Sequence, residues 1–244
     1  MKEENAIDYQ SPIYLQVRKA IRDQIDSGEF LPGMSIPSEN ELAELYGIHR
    51  LTVRNAISVL VMEGLLKSAK GKGVFVVGPK MERDLDTLGG FTKTMKAKGA
   101  QPSTKVLIKA IRQAGEKYAM IFDIRPENEI YYIKRICFAD GEPVSLEEIY
   151  IPAKLIPNFD EIDLAVFSIY EIYEFYGVQL TRADQTLDLM TLPYKDAKRL
   201  GIDPSDSVLL FSGTSFDEND QIIEFSRTYT RGDKSDFTVR FMNK

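Results

Sequence analysis

Residues 37–77, PSENELAELYGIHRLTVRNAISVLVMEGLLKSAKGKGVFVV, hold the pattern that most limits how this chain can fold. Ser38-x-x-Glu41 has the spacing of a capping box, in which each side chain satisfies the other residue's backbone N–H, so a helix is expected to start there. Leu42, Ala43, Leu45 and Tyr46 supply its apolar side, and Gly47 ends it. Only a short turn around His49 and Arg50 precedes a second helical run, in which Val53, Ala56, Ile57, Leu60 and Val61 recur on one face. So short a turn forces the two helices to cross steeply. Gly64 closes the second helix. LLKS and VFVV are then expected to pair around Ala69-Lys70-Gly71-Lys72-Gly73, whose glycines permit a tight turn and let the backbone approach a phosphate.

A further helix precedes this run. Ser11-Pro12 is expected to open it, with Ser11 as N-cap and Pro12 at the first helical position, and Ile13, Val17, Ala20, Ile21 and Ile25 form its inward stripe. It stops near Gly28, and FLPGMSIP is an extended link. Three helices and a hairpin in this order make a winged helix-turn-helix, a shape that reads DNA. Charge agrees: between Arg50 and Gly73 lie Arg50, Arg54, Lys67, Lys70 and Lys72 against Glu63 alone, while Glu39, Glu41 and Glu44 sit on the preceding helix. Arg50 and Thr52 are placed to reach base edges or phosphates in a major groove. Arginine grips guanine bidentately, and lysines on the wing hold phosphate. Taken singly, Arg50 and Arg54 also read as a solvated helix face; the basic wing and short turn together favour DNA. His49 reads first as a turn residue and second as a DNA contact.

At 244 residues the chain is long enough for two domains. No apolar run approaches the roughly 18 residues that suggest a membrane span, and MKEENAIDYQ lacks the apolar core of a signal peptide. One cysteine, Cys137, precludes an internal disulfide and suits a reducing cytoplasm. With one histidine beside it, no structural metal or cofactor is expected. A net charge of −6 argues against a protein that coats nucleic acid non-specifically, so a local basic patch must do the docking.

The run from Pro37-Ser38-Glu39 through Leu42-Ala43, Tyr46-Gly47, Arg50, Thr52-Val53-Arg54, Ala56, Leu60 and Gly64-Leu65 to Gly71-x-Gly73 closely resembles the GntR superfamily of bacterial transcription regulators. The resemblance implies that Arg50, Thr52, Arg54 and the wing tip, Lys70-Gly71-Lys72, contact DNA. It extends the candidate set to Asn40 and His49, where this chain departs from the family: His49 stands where a small hydroxyl residue is usual, and Asn40 where some members carry an arginine that touches DNA.

The first domain is assigned to residues 1–77. Residues 78–86, GPKMERDLD, read as a linker, and residues 87–244 as a second domain. There a short helix at 91–98 is followed by an alternating run at 104–112 and a helical patch, GEKYAMIF. IYYIKRICFA and PVSLEEIYI flank Asp140-Gly141-Glu142, a hairpin signal. SIYEIYEFYG and YKDAKRLG are expected helices; TRADQTLDLMTL, SVLLFSGTSF, QIIEFSRTYT and DFTVRFM are expected strands. About six strands in one antiparallel sheet with helices between make an α+β domain. Ile133, Arg135 and Cys137 share one strand face, and an inward arginine needs an anionic partner or ligand. Glu147 and Glu224 interrupt apolar strands. The tyrosines at 132, 150, 170, 173 and 176 read as core and rim.

This segment resembles the UTRA effector-binding domain of the HutC subfamily, a chorismate-lyase-like fold, through Asp140-Gly141-x-Pro143, Glu147-x-x-Tyr150-x-Pro152, Ser168-Ile169-Tyr170-Glu171 and Arg231-Gly232-Asp233. The resemblance implies a phosphate site at Arg135 and Phe91-Thr92, and sugar contacts at Glu147, Ser168, Tyr170 and Glu224. Cys137 replaces a second arginine, with Lys134 a substitute if it turns inward, and Thr230 replaces a tyrosine. The expected protein is thus a cytoplasmic homodimer and a repressor of carbohydrate or amino-sugar genes. It binds a palindromic operator and responds to a small molecule, with a phosphorylated sugar or amino sugar favoured. A non-sugar metabolite, residual chorismate-lyase-like catalysis and an effector-free architectural role are the competing readings.

Overall fold

A computed structural model describes residues 12–78 and 90–234. In chain order the elements are α1 (Ile13–Asp26), α2 (Glu39–Tyr46), α3 (Arg50–Met62), β1 (Leu66–Ala69), β2 (Gly73–Val76), α4 (Gly90–Ala97), β3 (Pro102–Gln113), α5 (Gly115–Phe122), β4 (Glu129–Ala139), β5 (Glu142–Pro152), α6 (Ile169–Phe175), β6 (Arg182–Thr191), α7 (Tyr194–Leu200), β7 (Ser207–Phe216) and β8 (Ile222–Arg231). They fall into two compact bodies, one of Met1–Met81 with Glu161–Gly177, the other of Glu82–Asp160 with Val178–Lys244.

In the first body, α1, α2, α3 and the β1–β2 hairpin close over one core. Val17 and Ile21 of α1, Leu42 of α2, Val53, Ala56 and Leu60 of α3, and Leu66 and Val76 of the hairpin are buried together. Burying a side chain of this size contributes about 1.5–3 kcal/mol, so this stripe rather than helix propensity holds the short helices. The capping box forms: the Ser38 N–H donates to Glu41 Oε2 at 2.8 Å and the Glu41 N–H to Ser38 Oγ at 3.3 Å. Gly47 ends α2 in the left-handed region at φ 63°. His49 is the N-cap of α3, its Nδ1 accepting the Leu51 N–H at 3.2 Å.

Two local expectations change. Pro12, at φ −54° and ψ 115°, is the extended residue before α1 and not its first helical residue; Ser11 lies outside the described residues. Leu45 does not join the core: it stays 60% exposed, at the solvent edge of the narrow stripe of α2. The stretch from Glu161 to Gly177, within the segment assigned to the second domain, clusters in space with the first body. Phe167 meets Phe75 of β2 edge-on at 6.0 Å, and the Tyr176 hydroxyl donates to Pro32 O at 3.2 Å.

The second body is built on a six-stranded antiparallel sheet in the order β3-β4-β5-β8-β7-β6. The β4–β5 hairpin turns at Asp140-Gly141, both with positive φ (51° and 83°), as the sequence signal requires. On one face, Ile136, Leu146, Leu210 and Tyr229 are buried with Ala197 and Leu200 of α7. Further along that face Ile130 and Tyr150 pack with Ala119 and Phe122 of α5. The expected strand DFTVRFM lies outside the described residues.

Candidate functional site

The basic surface of the first body is organised by an acid. Glu39, in the first turn of α2, accepts Arg50 Nε at 2.7 Å and Arg54 Nη2 at 2.9 Å, both from α3. Hydrogen bonds from Arg54, then Arg50, hold the Glu39 carboxyl below its ordinary range. The Arg50 bond uses Nε, so its terminal NH2 groups are not consumed by it, and both arginine side chains stay about half exposed (53% and 50%). The arrangement presents two oriented guanidinium groups from the start of α3. Thr52 is half-buried with its N–H on His49 O at 2.9 Å, whereas Asn40, His49 and Lys70 are exposed. Gly71 sits at the hairpin tip at φ 74°, with no atom near the place a Cβ would take. Lys72 pairs with Asp163 at 2.7 Å. The role of Glu39 was missed in the sequence, where its distance from both arginines hides the contact that the helix crossing creates.

The second body's candidate face is the one opposite α5 and α7. The buried polar residues Arg135, Ser145, Glu147, Ser215, Glu224 and Thr230 all fall on it. Strand register explains why: Arg135 lies opposite Glu147 and Cys137 opposite Ser145; Ser145 lies opposite Thr230, and Glu224 opposite Ser215. A sheet face that buries so many polar groups must hold them in mutual bonds or offer them to a ligand.

Arg135 Nε donates to Glu147 Oε2 at 2.7 Å, with both side chains at most a tenth exposed. Burial opposes the Arg135 charge, but the Glu147 carboxylate outweighs it and holds the guanidinium protonated. Burial pushes the Cys137 thiol well above its ordinary value, so this position is neutral. Ser145 Oγ is buried on this face, and its hydroxyl interacts with the neighbouring Cys137 thiol. Lys134 does not turn toward this face. It lies on the other one, bound to Asp196 at 2.7 Å and Glu148 at 3.2 Å, because alternation along β4 sends it opposite to Arg135.

The remaining candidates are spread along the chain. Phe91 and Thr92 lie half-buried in α4 of the second body. Ser168 belongs to the first body, where its hydroxyl accepts the Glu171 N–H at 3.2 Å and caps α6. Tyr170, also there, is half-buried with its ring edge-on to Tyr173 at 6.3 Å. Tyr132 and Tyr150 stack at 5.0 Å on the α5 side of the sheet, under the Arg112 guanidinium, and so take no part in the polar face. Among the described residues no group of three or more His, Cys, Asp or Glu could hold a metal ion, and no helix is long and apolar enough to cross a membrane.

Residues 13–76 match the family model of bacterial regulatory proteins of the gntR family, and residues 97–236 match that of the UTRA domain. The chain belongs to the GntR/HutC family of transcriptional repressors. The repressor NagR of Bacillus subtilis is 36% identical over 234 residues, 96% of each chain. The probable fructoselysine utilization operon repressor of Escherichia coli K12 is 31% identical over 93% of each. Among solved structures, PhnF from Mycobacterium smegmatis superposes with a TM-score of 0.61 at 28% identity, covering 93% of this chain and all of that one. A GntR/HutC repressor binds operator DNA through the helix-turn-helix and a small molecule through the UTRA domain. The oriented arginines and the buried polar face lie in those respective segments.

Proposed function

We propose that this repressor binds a palindromic operator as a homodimer. Arg50, Thr52 and Arg54 enter the major groove, Lys70, Gly71 and Lys72 lie on the phosphates, and Asn40 and His49 flank them. We further propose that its effector is a phosphorylated sugar or amino sugar held on the polar sheet face. Arg135 meets the anionic group, Glu147 and Glu224 accept hydrogen bonds from hydroxyl or amino groups, and Phe91-Thr92 contribute from α4. Ser168 and Tyr170 complete the set that the family resemblance implies. The observation that carries the effector reading is the burial of Arg135, Glu147 and Glu224 on one face of the sheet. The names of the relatives, with NagR and a fructoselysine operon repressor among them, point the same way. Two departures from the family also fall here: Cys137 and Thr230 flank Ser145 in one cross-strand row, replacing two large side chains by small ones. A thermal-shift series with hexosamine 6-phosphates and their dephosphorylated forms tests the reading. Ligand at a hundred times its Kd stabilises by about 2.7 kcal/mol, a readily measured shift. Stabilisation only by the dephosphorylated forms removes the phosphate from the proposal, and none by either form removes the sugar class.

A further inference from the structure

Two lysines of the wing hairpin lie against carboxylates of their own body. Lys72 Nζ lies 2.7 Å from Asp163 Oδ2. Lys67 Nζ donates to Val166 O at 2.9 Å and lies 3.4 Å from Glu171 Oε1. Both carboxylates come from the stretch 161–177, EIDLAVFSIYEIYEFYG, which holds Glu161, Asp163, Glu171 and Glu174 and no lysine or arginine. An uncompensated acidic stretch laid on a basic hairpin is an electrostatic partner for it.

Apolar packing fixes the stretch in place. Phe167 is 1% exposed, and it sits edge-on to Phe75 of β2 at 6.0 Å and to Phe175 at 5.2 Å. The Lys67 ammonium lies 4.7 Å above the Phe167 ring. Gly33 lets the chain pass close to Ile162: a Cβ there would come within 3.0 Å of that side chain, at a φ of +87° that L residues rarely adopt. Exposed ion pairs contribute little stability, so Asp163 and Glu171 do not explain the docking. Their effect is on the lysines, whose charge they neutralise at the place a phosphate would occupy.

We propose that the acidic stretch 161–177 is an internal stand-in for operator phosphate, which DNA must displace from Lys72 and Lys67 before the wing can engage. The proposal rests on the reading that the wing lysines meet phosphate. Its consequence is a lowered affinity for DNA and a shallower salt dependence. A lysine that reaches phosphate releases a condensed cation, but the freed carboxylate takes one up.

The test uses the full chain, fluorescence anisotropy with operator DNA across a salt series, and Asp163→Asn, Lys72→Ala and the double variant. Lys72→Ala weakens binding and lowers the salt slope by less than the roughly 0.9 of one unopposed phosphate contact, because the cation uptake at Asp163 is lost with it; the full decrement appears only when Lys72→Ala is made in the Asp163→Asn background. Asp163→Asn tightens binding by about 2- to 5-fold and steepens the slope, as loss of one exposed ion pair allows. In the Lys72→Ala background the same change has no effect beyond the additive error of such cycles. Equal tightening in both backgrounds overturns the proposal, because it shows general repulsion between Asp163 and DNA. If Lys72→Ala weakens binding while Asp163→Asn leaves it unchanged, the latch fails and the wing reading stands. If Lys72→Ala changes nothing, the wing reading fails and takes the latch with it.

Discussion

Arg135→Met probes the polar face most sharply. The Arg135 and Glu147 side chains are 7% and 10% exposed and 2.7 Å apart. Glu224, 5% exposed, also acts on the same guanidinium. Deleting the cation leaves two carboxylates on this face with no other buried basic side chain among the described residues. Removing one partner of a buried pair costs about 3–5 kcal/mol, since the other charge is left uncompensated. In a body of this size each kcal/mol lowers Tm by about 2–4 °C, so the expected drop at pH 7 is about 6–20 °C. Scanning calorimetry of the parent and the variant at pH 7 measures the drop. Arg135→Met/Glu147→Leu should recover part of the loss, because it removes the carboxylate that Arg135 bonds directly while Glu224 remains. A drop below about 2 °C at pH 7, within what a surface substitution gives, would refute the reasoning.

Glu39→Gln removes the carboxylate that orients Arg50 and Arg54; the ratio of operator to random-DNA affinity should fall at fixed salt, while random-DNA affinity holds or rises, as parallel anisotropy titrations will report. The Cys137 thiol is held neutral by burial, so in the native protein it should react with an aromatic disulfide reagent far more slowly than after unfolding in urea. Because its folded value is raised, stability should also decline as pH climbs above the ordinary thiol value of 9.0, and Cys137→Ala should flatten that decline. Gly33→Ala forces a side chain into the left-handed region against Ile162; urea unfolding should show a loss of about 1–3 kcal/mol from the backbone alone, and more from the collision.

The first body was largely legible because its signals are local. The capping box, Gly47 as a left-handed helix end and the glycine-rich hairpin tip each act within a few residues, and each forms where the spacing puts it. Helix periodicity likewise found Val53, Ala56, Ile57 and Leu60. Contacts that depend on how elements cross were not legible. Nothing in the spacing joins Glu39 to Arg50 and Arg54, or Asp163 to Lys72, a pair separated by 91 residues. In the second body, strand alternation put Arg135 and Cys137 on one face, but only the register brings Glu147, Ser145 and Thr230 beside them. The order β3-β4-β5-β8-β7-β6, which sets β8 between β5 and β7, is a non-local property that periodicity does not contain. Lys134 shows the strength of the alternation rule: one step along β4 from Arg135, it is committed to Asp196 across the opposite face.

The central claim is that a ligand on the buried polar face changes how the helix-turn-helix holds its operator. Anisotropy titration of the full chain on operator DNA, with and without a saturating hexosamine phosphate that thermal shift has shown to bind, tests it most directly. Typical coupling between two sites spans about 5- to 150-fold in affinity, and the operator Kd is expected to rise within that range. A ligand that binds and stabilises the protein yet leaves the operator Kd unchanged would contradict the account.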